Sequence, residues 1–195
     1  MKILGPLIRA KFVERPNRFI TMVNIDGVIH RSHLPDPGRL KELLFSGANL
    51  LVRPAPKHSV RKTKYSTVMV NHDGQLISLV TALPNQFVKE ALEKKELSIF
   101  KDYTLVRPEV TVEKHRFDFL LKSSNGSDFY LEVKSVTFVE NGVAQFPDAV
   151  TERGRKHALA LKKLVEEGKG AGILFVCQRP DASSDSLVQV QFHLP

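Results

Sequence analysis

HRFDFLLKSSNGSDFYLEVKSV, residues 115–136, is the stretch that decides how the second half of this chain folds. Two runs rich in aromatic and β-branched residues flank a polar connection, the pattern of two adjacent strands. Residues two apart on a strand share a face, so Glu132 and Lys134 project together while Leu131 and Val133 go to the other side. On the first strand Phe117, Phe119 and Leu121 are expected on one face, leaving Arg116 and Asp118 opposite. Carboxylates and an ammonium in an otherwise apolar hairpin are costly to bury without partners. Two acids facing each other repel, and a divalent cation would offset that repulsion. The register decides the matter. A two-residue turn at Asn125-Gly126 would pair Asp118 with Val133 and send the acids to opposite faces. An odd loop, Ser123 to Ser127, pairs Asp118 with Glu132, and this is the register expected. Asp118, Glu132 and Lys134 are then the candidate catalytic residues. The acids would hold Mg²⁺ or Mn²⁺, and the lysine would orient water or stabilise charge on a phosphate. Against this stands the plain alternative of surface ion pairs with Arg116 and Lys134.

Working outward, residues 85–98 carry Phe87, Ala91 and Leu92 at helical spacing, with Asn85 as the expected N-cap. TLVRPEVTV (104–112) reads as a strand. Residues 148–167 read as a helix capped by Asp148, with Val150, Gly154, Ala158, Leu161 and Val165 as its buried stripe. Arg153 and His157, four apart, share a flank of that helix and are candidates for holding phosphate or moving a proton. AGILFVCQ (171–178) is a strand covered on both faces. From residue 84 to 195 the order is therefore helix, three strands, helix, strand.

Residues 1–83 read differently: six short strands (7–13, 18–25, 27–34, 48–54, 64–71 and 75–83), with turns at Asp26-Gly27 and Asp73-Gly74. A short helix is expected in RLKELLFSG, ending at Gly47. Such a series suggests a small OB-type barrel, a fold that binds strands or oligomers. Its charge agrees. The first 83 residues hold 13 Lys and Arg against 5 Asp and Glu, and the remainder holds 16 of each, so the whole net charge of +8 belongs to the first half. A concentrated basic surface points to a polyanion. Arg18, Arg39, Arg61, Lys62 and Lys64 are candidates for phosphate contacts, and Tyr65 for a stacking ring.

The remaining features are exclusions. At 195 residues and 42% hydrophobic, the chain can bury a core. No apolar run approaches the roughly 18 residues of a membrane span, and no signal peptide is read. The single Cys177 forms no internal disulfide, which fits a reducing, cytoplasmic setting. His30 and His33 have no matching acid or nucleophile for a triad.

HRFDFLL, YLEVKSVT and FPDAVTERGRKH, with HLPDPGRL (33–40) and LPNQFVKEAL (83–92), closely resemble the sugar fermentation stimulation protein family. The resemblance covers about residues 1–180. It implies an OB-like domain (1–83) joined to a domain resembling PD-(D/E)XK nucleases (84–195), in which Asp118, Glu132 and Lys134 match the acid, acid and lysine of the nuclease pattern. It further implies Glu90 as an additional metal-binding acid on the first helix, and Arg153 and His157 as supporting residues on the second. Family members usually continue past the counterpart of residue 180 with a further helix and strand. Here DASSDSLVQVQFHLP follows, and either an outer element of the nuclease-like layer is missing or a short strand stands in its place. The expected partner is nucleic acid, DNA in particular, and an edge strand of the second domain offers a route to a homodimer. The rival readings are a DNA-binding regulator of sugar metabolism without turnover, and a sugar-pathway factor acting through protein contacts. The last leaves the charge split unexplained.

Overall fold

A computed structural model describes Ile3, residues 5–146 and 152–183, and the backbone of 191–192. The first six strands are β1 (Ile8–Asn17), β2 (Ile20–Ile25), β3 (Val28–His33), β4 (Asn49–Pro54), β5 (Tyr65–His72) and β6 (Gln75–Ser78). They run β3-β2-β1-β4-β5-β6, and a parallel pairing of β3 with β5 closes the first five into a barrel. Both expected turns form. Asp26 and Gly27, like Asp73 and Gly74, all have positive φ, the conformation of a two-residue hairpin turn. Asn24 and Asn71 fasten these turns by accepting the Gly27 and Gly74 N–H on their side-chain oxygens. Val23, Leu34, Leu50, Val52, Val70 and Ile77 are among the residues filling the barrel.

The short helix expected before Gly47 does not form. Leu40 has φ of +51°, which breaks a right-handed run at its start, and a single turn follows in which the Leu44 N–H reaches Leu40 O at 2.8 Å. Leu40, Leu43 and Leu44 instead plug the barrel core. Arg15 ties this segment down by donating to the carbonyls of Arg18, Asp36, Gly38 and Arg39.

The second half holds α1 (Leu83–Glu93), β7 (Tyr103–Val112), β8 (His115–Ser123), β9 (Asp128–Val136), a small hairpin of β10 (Val139–Glu140) and β11 (Val143–Ala144), α2 (Glu152–Glu166), β12 (Gly170–Cys177) and β13 (Gln191–Phe192). Its sheet runs β13-β12-β9-β8-β7, with β12 parallel to β9 and the short β13 antiparallel to β12. On one face Val88 and Leu92 of α1 pack with Phe119, Leu121, Phe129, Leu131, Val133 and Leu174. On the other, Leu161 and Leu164 of α2 pack with Val110, Phe117, Tyr130 and Ala171.

Three expectations shift. Phe87 is exposed and Val88 takes its buried place, because α1 begins at Leu83 with Pro84 in its first turn and so is rotated relative to the expected face. Ala158 is exposed, and the α2 stripe is His157, Leu161 and Leu164, with Gly154 half-buried. His157 turns inward because a buried carboxylate awaits it there. Asp148 and Val150 lie outside the described residues. Third, Phe117 does not share a face with Phe119 and Leu121, for a reason that defines the site.

Candidate metal and phosphodiester site

The connection between β8 and β9 is the odd loop 123–127. Lys122 pairs with Asp128, Leu121 with Phe129, Leu120 with Tyr130 and Phe119 with Leu131, the odd register that was expected. Inside the loop the Ser123 and Ser127 backbones meet, and Ser123 Oγ accepts the Ser127 N–H. The Asn125-Gly126 pair thus sits within a five-residue loop rather than forming the turn itself.

The ladder ends at Phe119, and there β8 changes face. Phe119 lies in the α1-side core, whereas Phe117 lies in the α2-side core. On β7 the residue level with Asp118 is Glu109, between Pro108 and Val110, and its φ is +51°. The two strands therefore bend together at one left-handed residue, an irregularity that re-aims a side chain. Asp118 sits at the bend, within reach of α1 as well as β9. Asn85 Nδ2 donates to Asp118 Oδ1 at 2.6 Å, and the Val133 N–H donates to Oδ2 at 2.7 Å. Asn85 was expected as a helix cap, but the helix starts earlier and frees its amide for this task.

Glu132, 4% exposed, projects toward α2. Its Oε1 accepts from Lys134 Nζ and from His157 Nδ1, the latter at 2.7 Å. Its Oε2 is buried with no hydrogen-bond partner among the described residues. Rings of His115 and Phe117 stand edge-on to His157 with centroids 6.1 Å away. Burial pushes the Asp118 carboxyl up, and the neighbouring Glu132 charge raises it further, against the lowering effects of Val133, Asn85 and Lys134. Each acid thus opposes the other's charge, with the Lys134 ammonium bonded to Glu132.

The structure brings Asp118, Glu132, Lys134 and His157 into one place. It does not bring Glu90, which is exposed on α1, while the α1 side chain bonded to Asp118 is Asn85. Among the described residues no three His, Cys, Asp or Glu side chains form a metal-holding group. Arg153 is exposed at the start of α2. On the barrel Arg18, Arg39, Lys62 and Lys64 are exposed, and Arg61 donates to Ser66 Oγ. Tyr65 is not an open stacking ring: it packs against the barrel core with His30 edge-on at 5.1 Å. Burial raises the Cys177 thiol, as befits an inert cysteine. Sequence reasoning missed Arg179, which is buried and paired with Asp181 at 2.5 Å just past β12. No local signal distinguishes that pair from a surface one.

Comparison with known proteins bears on both halves. The model described as the sugar fermentation stimulation protein RE domain matches residues 82–189, and that of the family's N-terminal OB domain matches 13–79. The chain belongs to the sugar fermentation stimulation protein family. A family member from Acetivibrio thermocellus, named as a sugar fermentation stimulation protein homolog, is 46% identical over 183 residues, covering 93% of this chain and 78% of its own length. Homologs of the same name from Clostridium botulinum are 43% identical over 178 residues, 91% of this chain and 77% of theirs. A solved structure of the Pyrococcus furiosus family member, in complex with Ca²⁺, superposes with a TM-score of 0.81 at 29% identity, covering 92% of this chain and 76% of that one. The OB barrel and the mixed-sheet domain are thus family architecture. Among the described residues, no helix is long and apolar enough to cross a membrane.

Proposed function

We infer that the protein binds nucleic acid, DNA foremost, in the cytoplasm and hydrolyses phosphodiester bonds at the Asp118–Glu132–Lys134 site. One observation carries this reading: Asp118 at a strand bend feels the charge of Glu132, which is buried with one oxygen unpartnered among the described residues, and Lys134 stands against Glu132. A buried unsatisfied carboxylate oxygen is costly and demands a partner. Paired carboxylates suit Mg²⁺ or Mn²⁺, which fill their remaining positions with phosphate oxygens and water. The complex of the Pyrococcus furiosus relative with Ca²⁺ supports a divalent ion. Asp118 and Glu132 would hold it.

Such an ion supplies charge neutralisation and a lowered pKa for bound water. The chain's own residues do the rest. Asn85 and the Val133 N–H fix the Asp118 carboxylate, and His157 fixes Glu132 from α2. Lys134, held by Glu132, presents an ammonium to charge developing on the phosphate. Arg153 clamps a neighbouring phosphate, and Arg18, Arg39, Lys62 and Lys64 on the barrel hold the strand's backbone.

A second reading, a DNA-binding regulator of sugar metabolism without turnover, draws on the exposure of Glu90, which leaves two acids in place of three. One experiment separates them: plasmid and single-stranded oligomer incubated with Mg²⁺ or Mn²⁺. Cleavage abolished by EDTA and by Glu132→Ala, with DNA binding retained, is expected. Salt-sensitive binding with no cleavage by the wild type establishes the regulator, and equal cleavage by Lys134→Ala assigns the activity to a contaminant.

A further inference from the structure

On β12, Phe175 pairs with Lys134 of β9, so the two side chains are neighbours on the face that carries Glu132. Leu174 and Val176 go to the opposite core, which leaves Phe175 on the site's side of the sheet. Its ring is half-buried and is met by Phe146, centroids 5.0 Å apart and tilted 55°. Phe146 is 46% exposed, so part of its ring is open to a partner. Its position is built. Asn141 and Gly142, both at positive φ, turn the chain between β10 and β11, the Gln145 N–H returns to Phe138 O, and the hairpin tip is tied by the Ser183 N–H to Gly142 O at 2.8 Å. The hairpin thus lays an open ring on Phe175, the β12 neighbour of Lys134, which in turn bonds Glu132.

We propose that Phe146 and Phe175 form a stacking platform for an unpaired nucleobase, placed next to Lys134, so that the strand entering the site is single-stranded there. The proposal rests on the phosphodiester reading and names its substrate class. A base stacked in a duplex has no free face to offer, whereas an unpaired base stacks on aromatic side chains whatever its identity. Lys134 supplies the charge complement for the adjoining phosphate. A purely apolar partner would gain nothing from the lysine and the Glu132 carboxylate on the same face.

The test uses the full chain and fluorescence anisotropy in EDTA, which stops hydrolysis. Two single-stranded probes of equal length are compared: oligothymidylate, and an abasic strand with the same phosphates and no bases. Phe146→Ala is expected to weaken oligothymidylate binding about 5- to 150-fold, the range for one stacked base, and to leave the abasic strand unchanged. Phe175→Leu, which keeps apolar bulk in the sheet, is expected to weaken the same probe while thermal melting stays near wild type. If Phe146→Ala changes neither probe, or both equally, the platform is refuted. If the wild type binds neither strand, the nucleic-acid reading itself fails, a result distinct from the loss of discrimination.

Discussion

Replacing Asp118 by Asn should make the metal-free protein more stable and make it blind to divalent ions. Burial and the charge of the neighbouring Glu132 both work against ionisation of Asp118. Unit charges about 5 Å apart repel by about 3 kcal/mol at an effective dielectric near 20. Lys134 and the two hydrogen bonds on Asp118 offset part of this. An asparagine keeps both bonds: its oxygen accepts the Val133 N–H, and the Asn85 amide turns to present its own oxygen. The net gain expected at neutral pH is about 1 kcal/mol, or about 2–4 °C in melting temperature for a chain of this size. Because burial and Glu132 raise the Asp118 carboxyl, its ionisation costs more in the folded chain than in the unfolded one. That cost is fully present above the raised value and absent below the ordinary aspartate value of 3.8. The variant's advantage should therefore shrink as pH falls through this window. With Mn²⁺ at a hundred times its Kd the wild type gains about 2.7 kcal/mol, about 5–11 °C, and the variant gains none. Differential scanning calorimetry at pH 7 and in acid, with and without Mn²⁺, reads all of this. A variant less stable than the wild type in EDTA at pH 7, or shifted equally by Mn²⁺, refutes the reasoning.

Three further outcomes follow from the packing. His157→Phe leaves the buried Glu132 carboxylate with Lys134 as its sole donor among the described side chains and should cost about 3–5 kcal/mol, read by urea unfolding. Gly170→Ala places a Cβ 2.6 Å from Phe129 Cδ2 and should cost about 1–3 kcal/mol, with the loss relieved in a Phe129→Leu background. Thr67→Val removes the partner that the buried Thr21 and Ser32 hydroxyls meet at 2.7 and 2.9 Å, leaving Thr21 a long 3.5 Å bond to Ser32 O, and should cost about 1–3 kcal/mol by the same unfolding assay.

What was legible in the sequence was whatever local chemistry dictates. Asp-Gly pairs between β-branched runs gave the barrel's hairpins; between β8 and β9 the local Asn125-Gly126 signal favoured a two-residue turn, and the odd Ser123–Ser127 loop was expected only because the acids required it. Glu132 and Lys134 shared a face because strand alternation leaves no other choice. The misses are tertiary. Strict alternation put Phe117 with Phe119, but a left-handed Glu109 on the neighbouring strand turned β8 over at Asp118, and nothing within β8 announces that. Asn85 read as a cap because its partner lies on another element, 33 residues away. His157 read as a polar flank because its inward turn depends on a carboxylate 25 residues away. The leucines at 40, 43 and 44 have helical spacing, yet their burial at the barrel end outweighs a helix too short to nucleate.

The central claim is that Asp118 and Glu132 together hold one divalent ion. Anomalous diffraction from a crystal of the full chain soaked in Mn²⁺ tests it most directly. The account predicts a peak within about 2–2.5 Å of an oxygen from each carboxylate, Glu132 Oε2 among them. A soaked crystal with no peak there, and with Glu132 Oε2 still unpartnered, contradicts it.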